Sequence, residues 1–469
     1  MHRFHRSGVS GLSVVAQVVD HFAAAIAARE LTPGARLPSI RSFALDSQVA
    51  KSTVVEAYDR LVAQGLAVSR AKSGFFVSTP RQVLEIGRAP SAPRREVDEF
   101  WMLRNALQLP SHALRPGCGW LPPDYLNDEG IRRVLGTLRR EPGDALTSYG
   151  EPAGYRPLRQ QLQRHLGGRG IEAPVEGIVL TDSGSQALDL AIRLLVQAGD
   201  TVFVDDPCYF NFQASLRAHR VNVVGIPLTP SGPDMQQFEL ELAWHRPRLY
   251  ITNAVLQNPT GISFSAAVVH QILLLSRQHG FDIIEDDTFA DLEERPAVRL
   301  AALDQLQRVI YIGSFSKTLS GATRCGFLVA KAEWIEAVLD LKLATTFGNN
   351  ELSAQLICKL LLDGSYRKHT EAIRQRLRKA AVSVRKRLRD CGLEPWAEPA
   401  GGPFLWVRGG PDMDASAIAS AGLASGILYA PGNVFSVSNS AGHCLRFNVA
   451  YSHDPRIYAF LKKQLKLDA

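Results

Sequence analysis

Apolar residues follow a helical period in the first part of the chain and fall into short β-branched runs later, and the change of period divides the molecule. Val15, Val18, Val19, Phe22 and Ile26 recur three and four apart, which puts them on one face of a helix. Leu31-Thr32-Pro33-Gly34 ends it. A second short helix is predicted to open near Pro38-Ser39, with Ser39 as the N-cap. A third starts near Lys51, carries Val54, Tyr58 and Leu61 on one face and stops at Gly65, a residue that tolerates the backbone just past a helix end. Leu66-Ala67-Val68 and Phe75-Phe76-Val77 then read as two short strands around the basic turn Arg70-Ala71-Lys72-Ser73-Gly74.

Three helices and a two-stranded wing over residues 10–78 predict a winged helix-turn-helix. Residues 79–105 change character: Pro80, Arg88 and the run Ala89-Pro90-Ser91-Ala92-Pro93-Arg94-Arg95 are polar, basic and Pro-rich, the composition of an extended linker that builds no core. From 106 onward, strand-like runs at 178–181, 202–204, 249–252, 281–285, 309–312 and 327–329 alternate with amphipathic segments such as 186–197 and 266–279. That alternation predicts an α/β domain with a mostly parallel sheet, its large part spanning about 140–345. After a long basic helix near 365–390 come strand-like segments at 404–407 and 445–449, read as a small α+β subdomain over about 350–469. No internal repeat is present.

Composition sharpens this picture in two places. The 469 residues are 46% apolar and 21% charged, enough for two or three domains with sizeable cores. No apolar run has the length of a signal peptide or membrane span, so a cytoplasmic location is expected. The six cysteines (118, 208, 325, 358, 391 and 444) are scattered without a CxxC pair, which argues for reduced thiols and against a metal site. The net charge of +7 is localised. Residues 1–95 hold 13 Lys and Arg against 6 Asp and Glu, and the remainder is neutral. A basic module on a neutral body suits a polyanion partner.

The segments Leu31-Thr32-Pro33-Gly34-Ala35-Arg36-Leu37-Pro38-Ser39-Ile40-Arg41 and Lys51-Ser52-Thr53-Val54-Val55-Glu56-Ala57-Tyr58, followed by Leu61 and Gly65, resemble the signature of the GntR family of bacterial transcription factors. The resemblance implies that Lys51, Ser52 and Thr53 lead a recognition helix into the major groove of operator DNA. Ser39 and Arg41 on the preceding helix, with Lys72 and Gly74 in the wing, are expected to reach phosphate, a base edge or the minor groove. Asp46-Ser47-Gln48-Val49-Ala50 departs from the family's Leu-Gly-Val-Ser-Arg type of turn and leaves base preference open.

Further along, Gly313-Ser314-Phe315-Ser316-Lys317-Thr318 follows a strand, and Arg324 comes seven residues after the lysine. Upstream, Ser183-Gly184-Ser185-Gln186 is a strand-to-helix turn whose N–H groups would meet an anion. Between them lie Gln257-Asn258-Pro259-Thr260-Gly261 and Ile284-Glu285-Asp286-Asp287. This constellation resembles fold-type I pyridoxal-phosphate enzymes of the aspartate aminotransferase superfamily. The whole chain, linker included, looks like a MocR/GabR-type regulator. The resemblance implies pyridoxal 5′-phosphate as cofactor, with the Lys317 amine condensing with its aldehyde. Asp286, or less favourably Asp287, would face the pyridine nitrogen, Asn258 the phenolic oxygen, and Tyr209 the ring face. Gly184, Ser185, Gln186, Ser314, Ser316 and Arg324 would hold the phosphate, joined by Tyr149 from the other subunit of a head-to-tail homodimer. Arg446 matches the family's arginine for a substrate carboxylate. Phe289 stands where many relatives carry a tyrosine.

Three readings follow. The chain is a DNA-binding regulator whose aminotransferase-like domain binds the cofactor and senses it, an amino compound, or both. It is a working aminotransferase that carries a DNA-binding domain. Or it senses only the supply of cofactor. The first is the reading adopted; whether Arg446 matters discriminates it from the third, because an amino-acid effector needs a carboxylate clamp and a cofactor-only sensor does not.

Overall fold

The computed structural model describes residues 4, 12–71, 73–78, 97–140 and 149–466. Lys72 and residues 79–96 of the expected linker lie outside these described residues. The chain divides into two compact units, residues 1–94 and 95–469.

The first unit contains helices α1 (Val14–Ala27), α2 (Ile40–Asp46) and α3 (Lys51–Ala63) and strands β1 (Ala67–Arg70) and β2 (Gly74–Val77). Ser13 and Ser39 cap α1 and α2 by accepting from Ala16 N–H at 3.3 Å and Ser42 N–H at 3.1 Å. Gly65 takes a φ of 72°, the left-handed geometry that ends α3. Val18, Phe22, Phe43, Val54, Tyr58 and Leu61 are buried together. Phe22 packs against Phe43 at 4.9 Å and Tyr58 at 5.4 Å between ring centroids. The Tyr58 hydroxyl donates to Pro38 O at 3.0 Å, which ties α3 to the start of α2. β1 and β2 pair antiparallel with Val68 opposite Phe76, and Arg36 bridges to Phe76 beyond them.

The second unit opens with helix α4 (Glu99–Gln108), capped by Asp98 through Trp101 N–H at 2.6 Å. This corrects the expected linker at its end. Met102 and Ala106 are buried against Phe435 and Trp406, so residues 99–105 do contribute to a core. Helices α5 (Asp128–Leu138) and α6 (Arg156–Gly167) follow, and then an eight-stranded sheet.

Its strands are β3 (Ile178–Thr181), β4 (Thr201–Asp206), β5 (Asn222–Thr229), β6 (Gly232–Pro233), β7 (Leu249–Thr252), β8 (Asp282–Asp286), β9 (Val309–Ser314) and β10 (Gly326–Val329), in the order β3-β10-β9-β8-β7-β4-β5-β6. β5, β4, β7, β8 and β9 run parallel, while β10 and β6 are antiparallel to their neighbours. β3, β7, β8, β9 and β10 are buried at every position, and all but β8, whose Ile283 and Ile284 stand between acids, appear in the sequence as mostly apolar runs rather than alternating ones. The strand order reverses between β4 and β7. In open parallel sheets, ligands sit outside the carboxyl ends of the strands at such a switch.

The smaller part carries an antiparallel sheet in the order β11 (Glu394–Pro395), β12 (Phe404–Arg408), β14 (Cys444–Asn448), β13 (Ala430–Pro431). Residues 114–118 join it from the opposite end of the unit. Leu114 bridges to Ile427, Gly117 N–H donates to Leu428 O at 2.8 Å, and Asn448 N–H donates to Pro116 O at 2.6 Å. No helix among the described residues is long and apolar enough to cross a membrane.

Candidate DNA-binding and cofactor sites

In the first unit, Lys51 and Ser52 are exposed and Thr53 is half-buried, all in the first turn of α3. Arg41 is exposed on α2. Ser39 is exposed too, but its hydroxyl oxygen is engaged as the cap of α2. Gly74 begins β2 with a φ of 98°, a conformation that a side chain would strain, and the Arg36 guanidinium would lie 3.7 Å from a Cβ placed there. Arg36 and Arg70, both exposed, flank the wing, with Arg70 stacked on the Phe76 ring at 4.6 Å. Arg70 belongs to the basic turn read from the sequence, whereas the sequence pattern gives Arg36 no place in the wing. Arg36 lies far from the wing along the chain, and the bridge to Phe76 brings it there, with Leu37 N–H donating to Phe75 O and Val77 N–H to Ala35 O on either side.

In the second unit, the carboxyl ends of β4, β7, β8 and β9 and the start of α7 (Gly184–Leu195) surround a cavity of about 180 Å3. Gly184, Ser185, Tyr209, Asn258, Asp286, Ser314, Ser316, Lys317 and Arg324 all line it, although the sequence separates the first from the last by 140 positions. The close approach of β10 to the head of α7 requires Gly326: a Cβ there would lie 2.5 Å from Ser183 C. Ser183 caps α7 through Gln186 N–H at 3.1 Å. Gln186 is therefore corrected as an anion donor. Its N–H is taken by the cap, and its side chain spans Asp182 N–H at 2.6 Å and the Thr346 hydroxyl at 2.9 Å. The N–H groups of Gly184 and Ser185 are the ones left at the head of the helix.

Lys317 Nζ donates to Gly119 O at 2.9 Å and lies 5.6 Å from the centre of the Phe289 ring. Burial pulls its pKa down to about 8, so far more of the amine is unprotonated near neutral pH than in an exposed lysine, although the protonated form still dominates. Asp286 ends β8, and burial raises its pKa against the hydrogen bonds it accepts from Thr288. Asp287 points elsewhere: its Oδ2 accepts from Arg299 Nε at 2.6 Å and from the Tyr311 hydroxyl at 2.9 Å. Glu285 accepts from Leu300 and Ala301 N–H at 3.0 and 2.8 Å. Of the three adjacent acids, Asp286 alone lines the cavity.

Arg446, fully buried in β14, donates from Nη1 to Asn258 Oδ1 at 2.7 Å and from Nη2 to Gly117 O at 2.8 Å. Its guanidinium lies 4.4 and 4.7 Å from the ring centres of Phe404 and Phe435. Burial lowers its pKa to about 10, still cationic at neutral pH. Tyr149 is not at the cavity. It is 76% exposed and packs on Phe347 at 5.2 Å. Thr288 and Asn253 were missed in the sequence, and both line the cavity.

The donor set fits pyridoxal 5′-phosphate. One half-buried amine and one buried carboxyl face the same space. The two hydroxyls of Ser314 and Ser316, the Arg324 guanidinium and the head of α7 stand beside them as anion donors.

Residues 124–462 match the family of aminotransferases class I and II, and residues 14–77 match bacterial regulatory proteins of the gntR family. The chain belongs to the class I and II aminotransferase family and carries a GntR helix-turn-helix at its N-terminal end. It is 28% identical to the uncharacterized HTH-type transcriptional regulator YdfD of Bacillus subtilis over 459 residues, 93% of this chain and 92% of that one. To the aromatic-amino-acid aminotransferase 1 of Thermococcus litoralis it is 28% identical over 358 residues, covering 74% of this chain and 85% of that one. The crystal structure of LysN, the α-aminoadipate aminotransferase of Thermus thermophilus in complex with N-(5'-phosphopyridoxyl)-L-leucine, superposes with a TM-score of 0.72 at 25% identity, covering 78% of this chain and 95% of that one.

Proposed function

We propose that this chain is a DNA-binding transcriptional regulator whose aminotransferase-like unit binds pyridoxal 5′-phosphate and senses the cofactor, an amino compound, or both. One observation carries the reading: a basic winged helix-turn-helix and a lysine-bearing cavity lined with anion donors stand on one chain. The relatives support it. YdfD, matched over nearly its whole length, bears the name of a transcriptional regulator, and LysN was crystallised with a phosphopyridoxyl compound.

In this reading Lys317 Nζ is the amine for the cofactor aldehyde, and Asp286 faces the pyridine nitrogen. Asn258 serves the phenolic oxygen, and Tyr209 covers the ring. Gly184 and Ser185 N–H, Ser314, Ser316 and Arg324 hold the phosphate. When bound, the cofactor supplies an electron sink for bonds at an amino-bearing carbon. Arg446 offers its planar fork to a ligand carboxylate, in exchange for or shared with Asn258 Oδ1 and Gly117 O. Tyr149, turned outward from its own chain, reaches the phosphate of a second copy in a head-to-tail homodimer. The protein acts in the cytoplasm, where operator DNA is within reach. Residues 79–96 connect the two units, and the effector acts by binding one arrangement of them more tightly than another.

Arg41→Ala combined with Lys51→Ala is expected to weaken operator binding and flatten its salt dependence by about one unit of slope for each phosphate that is no longer neutralised. Unchanged affinity and slope in a fluorescence anisotropy titration would remove these residues from the DNA face.

A second reading, an active aminotransferase, is favoured by the convergence of Lys317, Asp286, Asn258 and Tyr209 on one cavity, with Arg446 bonded to that asparagine. Cofactor-loaded protein mixed with amino acids and a 2-oxo acid separates the two. Repeated release of amino product identifies an enzyme, and a spectral change that stops after one binding event identifies a sensor.

A further inference from the structure

Asp286 is held by two neighbours whose roles were not legible in the sequence. Its Oδ1 accepts from the Thr288 N–H at 3.1 Å and also from the Thr288 hydroxyl. Its main-chain oxygen accepts from Asn253 Nδ2 at 2.7 Å. Because an amide must turn its nitrogen toward a carbonyl oxygen, Asn253 Oδ1 faces the other way. That oxygen is buried without a hydrogen-bond partner among the described residues, on a side chain that lines the cavity. Thr288 also borders the head of α7, where a Cβ on Gly184 would come 3.3 Å from its Oγ1.

We propose that Thr288 is a positioning residue: it fixes the Asp286 carboxylate with Oδ1 engaged and Oδ2 presented to the pyridine nitrogen, and so sets how firmly that nitrogen keeps its proton. The inference rests on the reading that pyridoxal 5′-phosphate binds beside Lys317. A carboxyl group rotates over a broad two-fold well and does not choose between its oxygens unaided. Two donors on one oxygen make the choice. They also draw charge from the carboxylate and make it a weaker base, so a proton shared with a ring nitrogen stays on the nitrogen. Burial works in the opposite direction on Asp286, and the Thr288 hydrogen bonds are the principal forces against it. Asn253 holds the backbone at Asp286, so the geometry is defined from both sides. The remaining neighbours act less directly: Asp287 is tied to Arg299, and Lys317 faces Asp286 across the cavity.

The test uses full-length wild type, Thr288→Val and Thr288→Ser. Each is titrated with pyridoxal 5′-phosphate and with the analogue that has C–H in place of the ring nitrogen, following protein fluorescence. The pH dependence of the bound-cofactor absorbance is recorded alongside. Removing one hydrogen bond to a charged group is expected to weaken binding of the natural cofactor roughly tenfold in Thr288→Val and to lower the pH at which the ring loses its proton. Thr288→Ser should behave as wild type. With the analogue, wild type and Thr288→Val should bind alike, because there is no ring proton to hold. The inference is overturned if Thr288→Val binds the cofactor as wild type does, if it loses as much affinity for the analogue, or if Thr288→Ser is as weak as Thr288→Val. If thermal melting shows that Thr288→Val does not fold, Thr288→Cys replaces it and the same comparisons decide. A wild type that does not take up the cofactor overturns the proposed function as well, which distinguishes that failure from this one.

Discussion

Lys317→Ala is expected to abolish the visible absorbance that pyridoxal 5′-phosphate acquires in the wild-type protein, with no loss of fold. Lys317 supplies the one amine among the residues lining the cavity, and the half-buried side chain has a single protein acceptor, Gly119 O. The anion donors of Ser314, Ser316, Arg324 and the α7 head survive the substitution, so the phosphate end still binds and the covalent signal alone disappears. Lys317→Arg sharpens the test, since it keeps a cation at the position and cannot condense with an aldehyde. A band that persists in either variant would move the attachment to another amine. The pH dependence is an independent check. The unprotonated amine is the nucleophile, and burial lowers the Lys317 pKa to about 8. The rate at which cofactor-free protein captures the aldehyde should therefore rise up to about pH 8 and level off above it, whereas a solvent-exposed lysine would keep gaining to beyond about pH 10. A rate still climbing at that higher pH would show that Nζ is not held in a desolvated site.

The sequence disclosed most where few residue types can perform the task. A lysine after a small-residue turn, glycines at chain reversals and serines heading helices are local signals, and Ser39, Ser183, Gly65 and Lys317 each stand where the pattern puts them. It disclosed least where the partner lies far along the chain. Strand β5 escaped because Gly225 and Pro227 interrupt its apolar run, and Pro227 donates nothing to a ladder; the pairing with β4 is visible only in three dimensions. Gly117 and Gly119 act through main-chain oxygens, which no side-chain pattern reports. Gln186 misled because a turn that presents N–H groups to an anion must also cap itself, and the cap takes one of them. Residues 99–105 misled in the other direction. They follow a Pro-rich run, but Asp98 starts a helix there whose buried face meets Phe435.

Asp286 and Asp287 could not be told apart in the sequence, and their environments give them opposite mutational signatures. Asp287→Ala removes the carboxylate that accepts from Arg299 Nε at 2.6 Å, deep in the unit where that arginine is 2% exposed. Glu293, 3.0 Å from Arg299 Nη2, remains as a second acid but sits nearer the surface, so much of the guanidinium charge is left uncompensated. Breaking a buried pair from one side costs about 3–5 kcal/mol. For a unit of this size that corresponds to a fall of roughly 5 °C or more in the thermal midpoint. Asp286→Ala behaves differently. Burial raises the Asp286 pKa on folding, and a carboxyl so raised opposes folding at every pH above its unfolded value. Its removal relieves that cost while losing the hydrogen bonds from Thr288, and the melting point of the cofactor-free protein should stay within about 2 °C of wild type. Its cofactor affinity, in contrast, should fall further than that of Thr288→Val, because the whole partner of the pyridine nitrogen is gone. Melting curves and cofactor titrations on the two variants should therefore cross over, one losing stability and the other losing cofactor. If Asp287→Ala melts as wild type and gives up the cofactor, the ring nitrogen pairs with Asp287, and the fold does not depend on that acid to balance Arg299.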